Sequence, residues 1–450
     1  MISLFYALIL AIAAMFVLNS VARILGNKKI ELAISLIFTS LISAVIALML
    51  SEGYSGIHAQ FIKLNEFSLL LSLAVSLGMI LIHLISFRER EYADFSVLLM
   101  FSFIGMLLVI MSNSIVTIFI GLALLTVPTV FSLFLNSKWV EAGVKYFIVT
   151  ALSAGLFAFG AAMLFASSGS LQIAEQSYDI GNFVAFLLLF ASIAIESGIF
   201  PFNLWVPDVY QKSPAFITSM LGGLNKKIGL IALIFVSLII FPYASKGMLA
   251  IFSILTMFYG NIAALVQKNV KRMLAYSSIS QAGYILIGLS TLSNYGIASS
   301  IYQIFSHMFA FIGLFAIVML MEAQGRHEIS DYVGLNKENK IAAFTVAIML
   351  LSMIGMPFTA GFIGKFMLFS SAVASNMAWL AIIGIINTVI SVYYYAKLII
   401  AVYTNKAEAR PIIISPSLAT AAVISLVIVL ILGIYPSLLF GLAQGAASAI

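Results

Sequence analysis

The chain has 450 residues, of which 63% are hydrophobic and only 8% are charged, and its formal net charge is +6 at pH 7. Soluble domains are about 45–50% apolar and about 25% charged, so the composition excludes a water-soluble globule. The sequence contains no cysteine, which excludes disulfides, thiolate zinc sites and iron-sulfur clusters held by this chain. Its four histidines are widely spaced and predict neither a metal site nor a haem site.

Apolar runs of membrane-spanning length follow one another along the chain and are separated by short polar joints. A transmembrane helix needs about 20 mostly apolar residues. The pattern therefore predicts an all-α, polytopic membrane protein with about fourteen transmembrane helices. The predicted spans are residues 2–25, 30–51, 67–87, 93–111, 114–135, 140–166, 182–206, 213–240, 246–266, 272–292, 295–323, 341–373, 377–404 and 416–444.

Basic residues collect in alternate loops. Fifteen of the 22 Lys and Arg residues lie in loops after odd-numbered spans, whereas the loops after even-numbered spans hold only Lys63 and Lys246. Because positively charged loops stay in the cytoplasm, this bias places both termini outside. The basic segment 268–272 falls on the cytoplasmic side and is interpreted as an inner-leaflet anchor, not as a nucleic-acid site.

The remaining basic residues lie inside predicted spans. A charge at mid-bilayer costs about 2.5 to more than 10 kcal/mol, so such residues are functional candidates by default. A local ion pair with Glu141 is the simpler interpretation for Lys145. Snorkelling to the membrane surface is the simpler interpretation for Lys397. These five lysines are Lys145, Lys226, Lys227, Lys365 and Lys397.

Two prolines interrupt predicted spans in similar surroundings. Pro201 follows Glu196 by five residues in span 7, and Pro357 precedes Lys365 by eight residues in span 12. The two segments are five spans apart and cross the membrane in opposite directions, as in an inverted repeat of two five-helix halves, each with a broken helix. The predicted domains are helices 1–3 at residues 1–91, the first repeat at 92–243, the second repeat at 244–409, and helix 14 at 410–450.

Three stretches in this order carry a resemblance to a known family. They are Pro201–Tyr210 (PFNLWVPDVY) followed by Ser213–Pro214, then Asn261–Tyr284, then Gly355–Phe366 (GMPFTAGFIGKF). Together they resemble motifs of the proton-translocating antiporter-like subunits of complex I and of the Mrp antiporters. The resemblance covers roughly residues 90 to 405, and within the family it is most similar to the subunit N group of NADH-quinone oxidoreductases.

The resemblance implies roles for individual residues. Lys226 resembles the central lysine of span 8, Lys365 resembles the lysine of broken span 12, and His307 lies where some members have a relay histidine. Ala123 stands where the family usually has a glutamate, and Glu196 stands where it usually has a lysine. The proton pathway expected from these matches consists of Glu196, Lys226, His307 and Lys365, beside helix breaks at Pro201 and Pro357.

The resemblance also implies a setting. The chain is expected to translocate protons in the membrane arm of a complex I-type enzyme in the cell membrane of a prokaryote, beside other antiporter-like subunits and a quinone-site subunit. Flavin, iron-sulfur clusters and quinone are then expected in partner subunits, with no cofactor and no catalytic centre in this chain. Two alternatives stay open: a subunit of an Mrp-type cation/proton antiporter, and a structural coupling subunit whose N-terminal half-channel has decayed, which Ala123 favours.

Overall fold

The computed structural model describes residues 2–24, 28–58, 60–87, 92–177, 179–404 and 412–450. Over these residues the chain is helical apart from one short hairpin, so the predicted all-α architecture is confirmed. Four of the basic loop residues used to predict orientation, Arg88, Arg90, Lys406 and Arg410, lie outside the described residues. The orientation of the chain in the membrane stays a prediction.

Nineteen α-helices are present in the described residues. Two π-helical turns, Leu221–Asn225 and Phe235–Ile240, flank α10, and two 3-10 turns are Ser137–Trp139 and Ile329–Tyr332. The helices are α1 (Ile2–Ile24), α2 (Lys28–Ser51), α3 (Glu66–Ser86), α4 (Tyr92–Ile110), α5 (Ile115–Phe134), α6 (Val140–Ser168), α7 (Ile180–Ser197), α8 (Trp205–Lys212), α9 (Ala215–Met220), α10 (Lys226–Ile234), α11 (Pro242–Leu265), α12 (Val270–Ser290), α13 (Asn294–Glu322), α14 (Leu335–Glu338), α15 (Lys340–Ile354), α16 (Ala360–Ala374), α17 (Ala378–Tyr403), α18 (Pro416–Ile434) and α19 (Ser437–Ser448).

The two predicted helix breaks are present. Span 7 is interrupted after α7, where Gly198 is left-handed (φ 64°), and the chain becomes helical again at α8, most of which lies beyond the predicted end of the span at residue 206. Span 12 is divided into α15 and α16, and Gly355 after α15 is also left-handed (φ 94°). Glycine adopts positive φ without steric cost and commonly ends a helix in this way, and the following proline cannot continue the helical hydrogen bonds.

One predicted span is wrong as a single helix. Residues 416–444 form two helices, α18 and α19, which are separated at Tyr435 and Pro436. A residue that precedes proline is pushed away from helical geometry, and Tyr435 has φ −125° and ψ 69°. A small antiparallel hairpin was also not predicted; it pairs β1 (Gly56–His58) with β2 (Ile62–Leu64) in a polar joint that reads as loop.

Ten helical segments of the described residues are long and apolar enough to cross a membrane, and three shorter apolar helices accompany them. The polytopic architecture is thereby supported, whereas the exact number of fourteen spans is not confirmed. The segment α12 is not among the ten although it has 21 residues. It carries Lys271, Arg272 and Gln281 among several serines. These polar residues lower its mean hydropathy, and Gln281 contacts the end of α15.

The chain forms two compact units. Unit 1 comprises Met1–Ser197, Leu224–Ser245 and Gly445–Ile450, and unit 2 comprises Gly198–Gly223 and Lys246–Gln444. Within unit 1, α4 packs on α5, α6 on α7, and α10 on α4 and α7. Within unit 2, α13 is the central helix, buried along its length and packed against α9, α12, α15, α16 and α18. The predicted boundaries of the two repeats stay a prediction, since compactness does not test an internal repeat.

Candidate functional site

In unit 2, the break between α15 and α16 creates a binding place for a cation. The last carbonyl groups of a helix have no partner inside that helix, and they form the negative end of its dipole. The Lys365 Nζ atom donates to two of them, the carbonyl oxygens of Met353 at 2.9 Å and of Ile354 at 3.0 Å. The Lys365 side chain is only 3% exposed. The break therefore stabilises a buried positive charge without a carboxylate.

The helix α12 completes this environment. The ring of Tyr284 lies beneath Lys365, with 4.4 Å between Nζ and the ring centroid, a distance at which the face of an aromatic ring attracts a cation. Gln281, one turn earlier on α12, donates to the carbonyl oxygen of Met353 at 3.2 Å and accepts from Gln303 at 3.1 Å. A hydrogen-bonded chain thus connects the end of α15, through the two glutamines, to α13.

Two glycines let α16 approach its neighbours closely. A Cβ atom at Gly361 would clash with the carbonyl oxygen of Ser352, and a Cβ atom at Gly364 would clash with Oε1 of Gln303. Ser352 belongs to α15, which binds Lys365, and Gln303 belongs to α13. The Gly-Phe-Ile-Gly-Lys sequence is therefore explained by packing as well as by the charge of its lysine.

His307 lies on α13, one helical turn after Gln303. Residues four apart share a face of a helix, so His307 is on the side of α13 that carries the glutamine bonded to Gln281. Its ring is buried and lies 5.5 Å from the ring of Phe311, centroid to centroid. The two glutamines thus link α13, the helix that carries His307, to the end of α15 that binds Lys365.

In unit 1, Glu196 occupies the penultimate position of α7 and is 6% exposed. Its carboxyl group faces the hydroxyl of Ser153 on α6. Ser153 also contacts Ser192, one turn before Glu196, through two hydrogen bonds of 3.0 Å, to the hydroxyl and to the carbonyl oxygen. Ala123 of α5 lines the same cavity as Glu196. The acidic group of this region is therefore on α7, opposite an alanine methyl group.

Lys226 and Lys227 begin α10, directly after a π-helical turn, and both are buried. Gly229 lies one turn after Lys226, and a Cβ atom there would come within 2.5 Å of Oγ of Ser197. Since residues three apart share a helix face, Lys226 is on the side of α10 that packs against the end of α7. Asn225 donates to Thr129 of α5 at 3.2 Å, which fixes the start of α10.

Lys227 does not snorkel. The side chain is 1% exposed, and its Nζ atom has no hydrogen-bond partner among the described residues. Its burial excludes a snorkelling role at the membrane surface.

Other charged residues form structural ion pairs. Arg272 bonds Asp208 at 2.7 Å, which ties α12 to α8. Lys271 pairs with Glu322, and the same carboxylate accepts from the backbone N–H of Ala215 at 2.8 Å. Lys271 is buried, so it does not act in the inner-leaflet anchor expected for segment 268–272. Arg272 is partly exposed, and its part in such an anchor stays a prediction.

Two simpler interpretations from the sequence agree with the structure. Glu141 and Lys145 form an ion pair of 3.1 Å on α6, with both side chains largely exposed. Lys397 is exposed near the C-terminal end of α17, where a long side chain can reach the membrane surface. None of these three residues belongs to the buried polar region of its unit.

The four predicted pathway residues are thus all buried, two in each unit. Unit 1 holds Glu196 and Lys226, and unit 2 holds His307 and Lys365. Sequence reasoning missed the polar residues that surround them: Ser153, Ser192, Gln281, Tyr284 and Gln303. The sequence of α12 contains a signal for two of them, because Gln281 and Tyr284 are three residues apart and therefore share one face of a predicted membrane helix. The described residues contain no group of three or more potential metal ligands.

Comparisons with known proteins identify the family. A family described as "NADH:quinone oxidoreductase/Mrp antiporter, TM" matches residues 112–391. The chain is 34% identical over 394 residues to NADH-quinone oxidoreductase subunit N 1 of Chloroherpeton thalassium, covering 82% of each protein. It is 30% identical over 476 residues to F(420)H(2) dehydrogenase subunit N of Methanosarcina mazei, covering 98% of this chain and 95% of the relative.

The fold is similar to that of a chain in respiratory complex I from Thermus thermophilus with bound aureothin. The TM-score is 0.86 at 25% sequence identity, and the match covers 97% of this chain and 100% of the other. The resemblance noted in the sequence motifs is therefore confirmed. The chain is a polytopic membrane protein that belongs to the NADH:quinone oxidoreductase/Mrp antiporter family.

Proposed function

We propose that this chain is a membrane-arm subunit of a complex I-type quinone oxidoreductase and that it translocates protons while quinone is reduced elsewhere in the complex. The observation that carries the proposal is Lys365, a buried amine held by the open end of a broken helix. Burying a charge inside a span costs about 2.5 kcal/mol or more. Retaining it in a purpose-built site indicates a group that is used.

Each pathway residue has a chemistry suited to proton transfer. Glu196 exchanges a proton through its carboxyl group in the hydroxyl-lined region of unit 1, and Lys226 is the amine on the neighbouring face of α10. His307 passes a proton between its two ring nitrogens. Lys365 binds a proton at the end of α15 and releases it toward the exit. The uncharged side chains of Gln281 and Gln303 position the end of α15 that binds Lys365.

The setting follows from the same proposal. Other antiporter-like subunits and a quinone-site subunit flank this chain in the lipid bilayer, and the flavin, iron-sulfur clusters and quinone are bound by partner subunits. The complex lies in the cell membrane of a prokaryote, with both termini of this chain outside. The named relatives act with NADH or with F(420)H(2), so the donor is to be identified by assay of the purified complex.

The test is proton transport by the purified complex in vesicles, with quinone reduction measured alongside. Lys365→Met and Glu196→Gln each remove a titrating group at nearly constant volume, and we expect each to lower proton uptake by roughly tenfold or more, as loss of a proton-transfer group does. Lys397→Met is the matched control, since it removes an exposed lysine. Wild-type transport by Lys365→Met at normal subunit content would refute the proposal.

The structure also contains an observation that favours a second function. Ala123 leaves the Glu196 cavity without a second ionisable group, as in a coupling subunit whose N-terminal half no longer conducts. In that case Glu196→Gln transports protons normally whereas Lys365→Met does not. Sodium dependence of transport by the same vesicles would instead indicate a cation/proton antiporter.

A further inference from the structure

A small cavity with both polar and apolar walls lies beside Glu196 in unit 1. About 20 Å³ of it is open to the centre of a water molecule, and its walls come from α5, α6 and α7. A site needs about 10–15 Å³ by this measure, and two to four polar partners, to hold one water. Its polar walls are Thr126 of α5, Thr150 and Ser153 of α6, and Ser192 and Glu196 of α7.

The hydroxyl groups of this cavity have free acceptor capacity. Thr126 donates its hydroxyl hydrogen to the carbonyl oxygen of Leu122 at 2.9 Å, and Thr150 donates to that of Tyr146 at 2.9 Å. A hydroxyl oxygen that has donated its hydrogen still has two lone pairs. Both threonines can therefore accept from a water molecule, whose own oxygen remains available to the Glu196 carboxyl group.

The neighbouring space is unsuited to water. A larger recess of about 320 Å³ shares Ala123, Thr126, Thr150 and Ala154 with the small cavity. The remaining wall of the recess is entirely apolar and consists of Val127, Val130, Phe131, Phe134, Phe147 and Ala151. Thr126 and Thr150 line both spaces, but Ser153, Ser192 and Glu196 line only the small cavity, so a water molecule has more hydrogen-bond partners beside Glu196.

We propose that one water molecule occupies the cavity between Ala123 and Glu196 and is the proton donor to the Glu196 carboxylate. A proton that arrives on this water as hydronium passes to the carboxylate, which leaves a neutral water and a neutral carboxylic acid. Ala123 is then a positioning residue, because its single methyl group leaves room for the water. The inference rests on the proposed function and specifies the proton-loading step of unit 1.

The experiment fills the cavity without touching an ionisable group. In the purified complex, Ala123→Leu places three further carbons in the space of the water, and we expect proton transport in vesicles to fall roughly tenfold, as for a lost proton-transfer partner. Ala123→Val fills less of the space and provides a second variant should the leucine impair assembly. Ala151→Leu is the matched control, because Ala151 lines the apolar recess but not the Glu196 cavity.

An infrared readout separates a lost water from a general packing defect. The carboxyl stretching band of Glu196 is identified by its absence in Glu196→Gln. We expect it to move to higher frequency in Ala123→Leu or Ala123→Val, since the carboxyl group loses a hydrogen bond, and to keep its position in Ala151→Leu.

The outcomes distinguish the two proposals. Impaired transport by Glu196→Gln, together with wild-type transport and an unmoved band in both Ala123 variants, would overturn the water site and leave the proposed function standing. Wild-type transport by Glu196→Gln would overturn the role of unit 1 in transport, and the water-mediated step with it.

Discussion

The two buried regions hold their ionisable groups in different ways. In unit 2, Lys365 is bound by two carbonyl oxygens at 2.9 and 3.0 Å and by the ring of Tyr284. In unit 1, Glu196 faces serine hydroxyls and a cavity large enough for one water. The first region is a pre-organised cation site made from a helix end, and the second is an adaptable site made from hydroxyl groups. The difference teaches that the carbonyl end of a broken helix can replace a counter-charge for a lysine, whereas a carboxyl group at the end of α7 needs hydroxyl groups or water as hydrogen-bond donors.

The largest loss of stability should come from adding a single methyl group where α16 packs against α15. In Gly361→Ala, the added Cβ meets the backbone carbonyl of Ser352, which cannot move without unwinding α15. We expect a destabilisation of about 2 kcal/mol or more and loss of the subunit from the assembled complex, measured by melting temperature and subunit content. Gly155→Ala is the control, because nothing lies within 4 Å of its added Cβ. Equal stability of the two variants would show that α16 is not closely packed.

A change that keeps the charge at Lys365 tests the pre-organised cation site. The guanidinium group of Lys365→Arg is planar and does not release its proton, so it neither fits the two carbonyl oxygens beside Tyr284 nor exchanges a proton. We expect proton transport to fall roughly tenfold or more although the positive charge is retained. Full transport with arginine would mean that the charge alone is required and that no proton binds there.

Removing a hydrogen-bonding side chain should cost more stability in the region of Lys365 than in the region of Glu196. Gln281→Leu removes the bonds to Met353 and Gln303 and leaves Gln303 buried without its partner, and we expect a cost of about 1–3 kcal/mol. Ser153→Ala removes one hydroxyl from a region where a water can replace it, and about 1 kcal/mol or less is expected. Melting temperatures of the two variants in detergent compare the costs, and a larger loss for Ser153→Ala would reverse the comparison.

The smallest effect should come from an ion pair outside both regions. Lys145 and Glu141 are 41% and 53% exposed, and exposed helix pairs contribute only about 0.3–0.5 kcal/mol. Lys145→Gln should therefore leave both the melting temperature and proton transport close to wild type. A marked loss of proton transport in this variant would show that the exposed Lys145 belongs to the pathway, and that burial alone does not identify the pathway residues.

The sequence was sufficient for the features that follow from local chemistry. Apolar runs predicted the polytopic all-α architecture, and prolines predicted both helix breaks, because membrane helices need continuous apolar length and proline removes a backbone donor. The division of the last span at Tyr435 was missed because the hydrophobicity continues across it. The partners of Lys365 could not be predicted, since backbone carbonyls carry no sequence signal. The pairing of Lys271 with Glu322 depends on contacts between residues 51 positions apart.

The central claim is that buried groups of this chain carry protons, and it is tested most directly by the number of protons translocated per electron pair delivered to quinone. We expect this ratio to fall in the complex with Lys365→Met while quinone reduction continues, and to fall no further when Glu196→Gln is added, because the two groups act in series. A wild-type ratio of protons to electron pairs in the doubly substituted complex would contradict the account.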